Sequence, residues 1–409
     1  MKNIKLDSIL LFALVIPFIM TYRIGPNDTP YWLFGLIFVG MLSYVSLDLF
    51  KLKENVFFRL KQIILSLLIV GVVGSAVFSA IVVRHKTHPI YMIHDIIIQQ
   101  EAAVRLLLHG TNPYSATYFD TPLAQWHYSD KDTNPALYHF VMQPFYLIFA
   151  VPFYLLSNRL FGFFDGRMPL FFLFFALLLL AGKLVKDKSK RLLFIILLAF
   201  NPAMLGYTLE GRSDIFMFAF LFLALYLLYI KKYFVAGLPL ALAFAVKQSV
   251  WPILPFYVAF IYFKSKSISK TLKDLLLFVI TFAAITLPFF LWDQKAFLDS
   301  TIFYLSGNIL HGYPISGYGL GMVLSQMGII KDANQYYPFQ IWQAILGLPL
   351  AVILIRNLKS NLGVGRLILV YGIFLFVFWY FSRYLNNNHL AYLSMVFITS
   401  YFWPEEKIK

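Results

Sequence analysis

The chain has 409 residues, of which 60% are hydrophobic and 13% charged, with 44 Phe and 26 Tyr. That is more apolar surface than a soluble core can hide, so most of it must face lipid, and the aromatic richness suits lipid-facing helices and headgroup belts rather than nucleic acid. The formal net charge is +15 and cysteine is absent, which excludes disulfides, thiolate metal sites and cysteine nucleophiles.

In chain order, apolar runs near 8–24, 30–50, 62–83, 164–183, 192–209 and 214–230 predict transmembrane helices. A second series near 233–246, 249–263, 275–291, 340–356, 367–381 and 390–403 brings the expected total to about twelve. The first run follows Met1-Lys2-Asn3-Ile4-Lys5 with no small-residue cleavage pattern, so it reads as a retained helix. Most of the positive excess lies in short loops: Lys51, Lys53, Arg59 and Lys61; Lys183 to Arg191; Lys231 and Lys232; Lys264 to Lys273; Arg356, Lys359 and Arg366. The positive-inside bias places these loops and both termini in the cytoplasm, most simply across a bacterial inner membrane. Counting 139–157 as a crossing would put the Lys183 to Arg191 cluster outside. That stretch is therefore read as lying along or dipping into the external surface. Two long segments, 84–163 and 292–339, then remain external, where function is to be sought.

Four places carry candidate chemistry. The first loop runs from Tyr91 through His94-Asp95 to His109, with Ile93, Ile97, Val104 and Leu108 at helical spacing, which predicts an amphipathic surface helix ended by Gly110 and Pro113. Asp95 at its start is either a helix cap or a carboxylate projecting into a cleft, and Glu101 with Arg105 reads as a surface pair. The second place is Asn201-Pro202 with Glu210-Gly211-Arg212-Ser213-Asp214, where Asp214 sits at the membrane boundary, as a functional group or as part of a turn-securing ion pair. The third, Lys247-Gln248 ahead of Trp251-Pro252, offers a flexible ammonium that either reaches a phosphate or snorkels to the interface. The fourth is Ser382 to His389, where Arg383 suits bidentate phosphate contact, with Asn388 and His389 as neighbours, or a plain interfacial anchor. The histidines are too scattered for metal-ligand spacing, and no Gly-rich phosphate loop follows a strand.

Taken in order, these places resemble the membrane-embedded glycosyltransferases of the GT-C superfamily. The nearest likenesses are the first mannosyltransferase of glycolipid anchor synthesis and the bacterial family 87 enzymes. The resemblance runs over 91–257, with an echo at Arg383. An external carboxylate precedes a Gly-x-x-Pro-Tyr turn (Asp95, then Gly110, Pro113 and Tyr114), followed by Asn134-Pro135-Ala136-Leu137-Tyr138, Asn201-Pro202, Gly211 to Asp214, and Lys247 to Pro252. The resemblance implies an all-α polytopic membrane protein, a GT-C-like bundle of about twelve transmembrane helices with an external amphipathic-helix cap. Its expected parts are an N-terminal hairpin (1–61), a catalytic module (62–263) and a C-terminal module (264–409).

It further implies transfer of a hexose, such as mannose, from a polyprenyl-phosphate donor to a hydroxyl of a glycan or lipid acceptor on the non-cytoplasmic face, with inversion. In that scheme Asp95 is the base, Asp214 orients acceptor or sugar, and Arg383, Lys247 and Arg212 meet the departing phosphate, with His94, Gln248 and Tyr114 as further substrate contacts. The relatives' Asp-x-Asp pair is missing, since His94 stands beside Asp95, so a divalent metal is not supported and no cofactor is expected. The expected partners are the lipid-linked sugar, the acceptor and membrane lipids. The alternatives are a polytopic transporter or flippase, and a polymerase of lipid-linked glycans.

Overall fold

A computed structural model describes residues 4–21, 30–87, 89–127 and 133–406. Lys2 and residues 22–24 of the first apolar run lie outside them. The expected all-α fold is what is observed: among the described residues the only sheet pairs Ser316–Gly317 in parallel with Tyr384–Leu385. The described parts of the expected apolar runs fall mostly on helix, but 192–209 is broken over 200–204, between Lys188–Ala199 and Leu205–Glu210. Five helical segments are long and apolar enough to cross a bilayer, namely Tyr31–Leu49, Glu54–Thr87, Arg167–Leu184, Ile268–Trp292 and Phe339–Ser360. Others, such as Asp214–Tyr229 and Tyr233–Phe244, are as apolar but fall short of the roughly 20 residues that a perpendicular crossing needs.

Successive helices run up and down and so gather two kinds of chemistry at opposite ends. At one end Lys264, in the last turn of Leu254–Ser265, donates to Glu406 Oε2 at 2.9 Å and to the Leu362 carbonyl at 3.3 Å. At the other end Asp214, which opens Asp214–Tyr229, meets Lys247, just beyond Tyr233–Phe244, and Asn388 in the first turn of Asn387–Phe402. Lys61 departs from the expectation of a solvated basic loop. It is fully buried between Asp7 (2.7 Å) and Asp48 (2.8 Å), and the one ammonium pairs with both carboxylates, which lipid would not tolerate unpaired.

The Glu54–Thr87 segment runs for 34 residues, about 50 Å at the α-helical rise, through a π-helical stretch at Val70–Gly74. That is longer than a hydrocarbon core of about 30 Å, and Arg84 stands in the segment's last turn. There Arg84 grips Glu101 through both carboxylate oxygens (2.7 and 2.8 Å) and reaches Asp165 at 2.9 Å. Arg167 closes the cluster on Asp165 through Nε (2.9 Å) and Nη2 (2.8 Å). Burial alone would raise the Asp165 carboxyl, but Arg167 and Arg84 outweigh it and hold it at about 2.

Glu101 is thus no surface partner of Arg105. It is buried in this quartet, while Arg105 is exposed. The helix Asp95–Leu108 departs in the same way from the amphipathic surface helix that its spacing predicts, for it is buried continuously from Ile97 to Val104. Its glutamines tie it to the following segment: Gln99 donates to the coil carbonyl of His139 and Gln100 to that of Tyr146 in the short helix Phe145–Ile148, both at 2.8 Å. We predict that Glu101→Ala, which leaves Asp165 alone to balance the two buried guanidinium groups of Arg84 and Arg167, destabilises the protein by about 3–5 kcal/mol. Arg105→Ala should stay within about 0.5 kcal/mol. Paired thermal melts in detergent check this, and equal melts for the two variants would refute the buried quartet.

Candidate active site

A cavity of about 1030 Å³ lies at the end of the bundle marked by Asp214. Both long connecting segments and the turns at 212–214, 247–249 and 384–389 contribute to its lining. Such volumes lie at the upper end of small-molecule sites, large enough for more than one sugar-sized ring.

Asp95 lines this cavity while being only 4% exposed. Three contacts fix it. The His94 N–H donates to the Glu210 carbonyl at 2.8 Å, which ties the helix start to the 201–213 turn. His94 Nδ1 lies 2.6 Å from Asp95 Oδ1, and Asn134 donates to Oδ2 at 3.2 Å. Asn134 is itself locked as the cap of the Pro135–Leu137 turn, accepting from the Ala136 N–H at 2.9 Å. Gly211 permits the close approach: its φ is +93°, and a Cβ there would collide with Ile97 Cγ1.

Asp214 is fully buried and receives Lys247 Nζ at 2.8 Å on one oxygen and Asn388 Nδ2 at 3.1 Å on the other. The sequence allows the turn-securing pair to be Arg212 with Asp214 or Arg212 with Glu210, and the first does not form. Arg212 instead lies 3.5 Å from both Glu210 Oε2 and Asn388 Oδ1, with its guanidinium over the Tyr207 ring. Gln248 is on the wall too, donating to the carbonyls of Val141 (3.1 Å) and Thr301 (2.9 Å) and so stitching the two long segments together.

Two expected contact residues stand outside the lining. The Tyr114 hydroxyl donates to the Met142 carbonyl at 2.8 Å, and its ring packs among Phe140, Phe289 and Phe297, so it supports the cavity from behind. Arg383 does not face the cavity as a phosphate grip would. Its guanidinium donates to the carbonyls of Tyr313, Gln335 (2.8 Å) and Ala333 (3.0 Å), and clasps the second long segment. Burial lowers this guanidinium to about 10, so it stays charged at neutral pH. A Cβ at Gly307 would collide with it, which keeps that position to glycine.

The structure also gives contacts to residues that the sequence names only as landmarks or not at all: Asn134 against Asp95, and Tyr304, Tyr313 and Tyr384 along the wall. The order of the landmarks places Asn134 after Asp95 but does not show their contact, and no spacing links either of them to position 313. Among the described residues no three His, Asp or Glu side chains converge as a metal-ligating group.

A helical, lipid-facing bundle whose acids and cations meet in one cavity at one end defines a polytopic membrane enzyme. Residues 140–402, well over half of the chain, match the model of glycosyltransferase family 87, and the chain belongs to that family. It is therefore a membrane glycosyltransferase. No curated protein and no solved structure shows significant similarity to it. The matched span holds Arg212, Asp214, Lys247, Gln248 and Arg383, whereas Asp95, His94 and Tyr114 precede it.

We predict that Lys247→Ala lowers the melting temperature by leaving Asp214 buried beside no cation, at a cost of about 3 kcal/mol. Adding Asp214→Asn should recover most of that loss, because the stranded charge is then gone. A double-mutant cycle by thermal melting measures the coupling, and strictly additive losses would show that the pair is not a unit.

Proposed function

We propose that this glycosyltransferase moves a hexose from a polyprenyl-phosphate donor to a hydroxyl acceptor at the non-cytoplasmic face, inverting the anomeric centre. The observation that carries the reading is that Asp95, Arg212, Asp214 and Lys247 line one cavity, at the end of the bundle away from the Lys264–Glu406 pair. We read the shorter apolar helices as crossings that complete about a dozen, with both termini in the cytoplasm.

In this scheme the acceptor oxygen attacks the anomeric carbon and its proton passes to the Asp95 carboxylate. The bond from that carbon to the phosphate oxygen breaks, and the electron pair leaves with the polyprenyl phosphate. The leaving group is already a weak base, so one carboxylate suffices, where an inverting glycosidase needs two. His94 and Asn134 orient Asp95 from both oxygens. Arg212 and Lys247 supply positive charge towards the departing phosphate, with Lys247 held in place by Asp214. Arg383 is left out of this assignment, because its donors are occupied by backbone.

The test is transfer from radiolabelled polyprenyl-phosphate hexoses into an envelope lipid-extract pool by the purified protein. Asp95→Asn should lower the rate by at least about 100-fold with unchanged yield and melting temperature. A full rate in that variant would remove Asp95 as the base.

A further inference from the structure

Most aromatic side chains near the cavity are packed against one another, but Tyr318 is not. It lines the cavity, is 60% exposed, and makes no ring contact among the described residues. An open aromatic face in a concave site is a costly thing to leave wet unless something flat and partly apolar covers it. Tyr318 is also firmly based. Its N–H donates to the Leu385 carbonyl at 2.9 Å, directly after the Ser316–Gly317 pairing with Tyr384–Leu385. At Gly317, with φ at +88°, a Cβ would collide with that same carbonyl oxygen, so the close approach that seats Tyr318 requires glycine.

Two primary amides share the rim, those of Asn334 and Asn387. Both residues are exposed and line the cavity, and neither side chain makes a hydrogen bond among the described residues. An amide presents a donor and an acceptor side by side, which matches vicinal hydroxyls, while an aromatic face matches the C–H face of a pyranose. The rim is aqueous on this side, since Lys331 and Asp332 next to Asn334 are exposed charges.

We infer that Tyr318, Asn334 and Asn387 form a carbohydrate subsite for the acceptor, so that the acceptor is a glycan presenting a sugar ring rather than a bare lipid or protein hydroxyl. This rests on the glycosyl-transfer reading above. The acceptor is favoured over the donor because the rim faces water. The donor phosphate, by contrast, is drawn to the deeper cations Arg212 and Lys247. The ring of Tyr318 holds the acceptor sugar one face on, and the amides fix its rotation.

The experiment uses the full chain in phosphatidylethanolamine and phosphatidylglycerol nanodiscs. Octyl glucoside and octyl mannoside, below micellar concentration, serve as glycan acceptors and n-octanol as the ringless control. Saturation-transfer NMR should show magnetisation passing from the wild-type protein to the sugar-ring protons, and that signal should vanish in Tyr318→Ala. In transfer assays with the best lipid-extract donor, Tyr318→Ala should raise the acceptor KM by about ten-fold with kcat and donor KM unchanged, and Tyr318→Trp should restore it. Equal use of octanol, or a change in donor KM instead, overturns the subsite. Transfer into the lipid-extract pool is followed in parallel, so transfer without glycoside binding overturns the subsite while leaving the glycosyl-transfer reading intact.

Discussion

The buried cluster of Arg84, Glu101, Asp165 and Arg167 is the constraint on which the site depends. Four charges in a nearly dry place tolerate one arrangement only, because each missing partner leaves an ion uncompensated. That arrangement joins the far end of Glu54–Thr87, the helix Asp95–Leu108 and the start of Arg167–Leu184. Arg167 adds hydrogen bonds to the carbonyls of Met92, Leu209 and Ala80, so the turn before Asp95 and the turn before Asp214 are referred to the same guanidinium. Two carboxylates more than a hundred positions apart in sequence are set in register by one buried cation.

A second brace acts on the other side of the cavity. Arg383 holds the segment that bears Tyr313, and the short parallel pairing fixes the segment that bears Tyr318. Loops that carry binding residues are usually the mobile parts of a membrane enzyme. Here irregular backbone is tied down by charged side chains donating to carbonyls, which substitutes for the regular hydrogen bonding that the loops lack.

The bundle is legible from the sequence because its cause is local: apolar runs of the right length can only be helices in lipid. The gathering of Asp95, Asp214 and Lys247 is legible through loop parity and the order of a family's landmarks. The role of Arg383 is not, since a guanidinium meeting carbonyls and one meeting a phosphate look the same in sequence. Glu101 and Lys61 mislead for a related reason. Spacing along a helix names the neighbours on that helix, but both residues are neutralised from elsewhere in the chain, by Arg84 in one case and by Asp7 and Asp48 in the other. Tyr318 is one of many tyrosines in the sequence, and its exposed place on the cavity wall, with no ring contact among the described residues, sets it apart only in the structure.

The single main-chain hydrogen bond from His94 to the Glu210 carbonyl also bears on how such an enzyme can change. It is made by atoms every residue type carries except proline at the donor, so it keeps the loop that bears Asp95 in register whatever side chains surround it. Asp95 precedes the stretch recognised by the family model, while its cationic counterparts lie within it. Joined at the backbone in this way, the side chains around position 94 can change without the start of Asp95–Leu108 losing its place against the turn before Asp214.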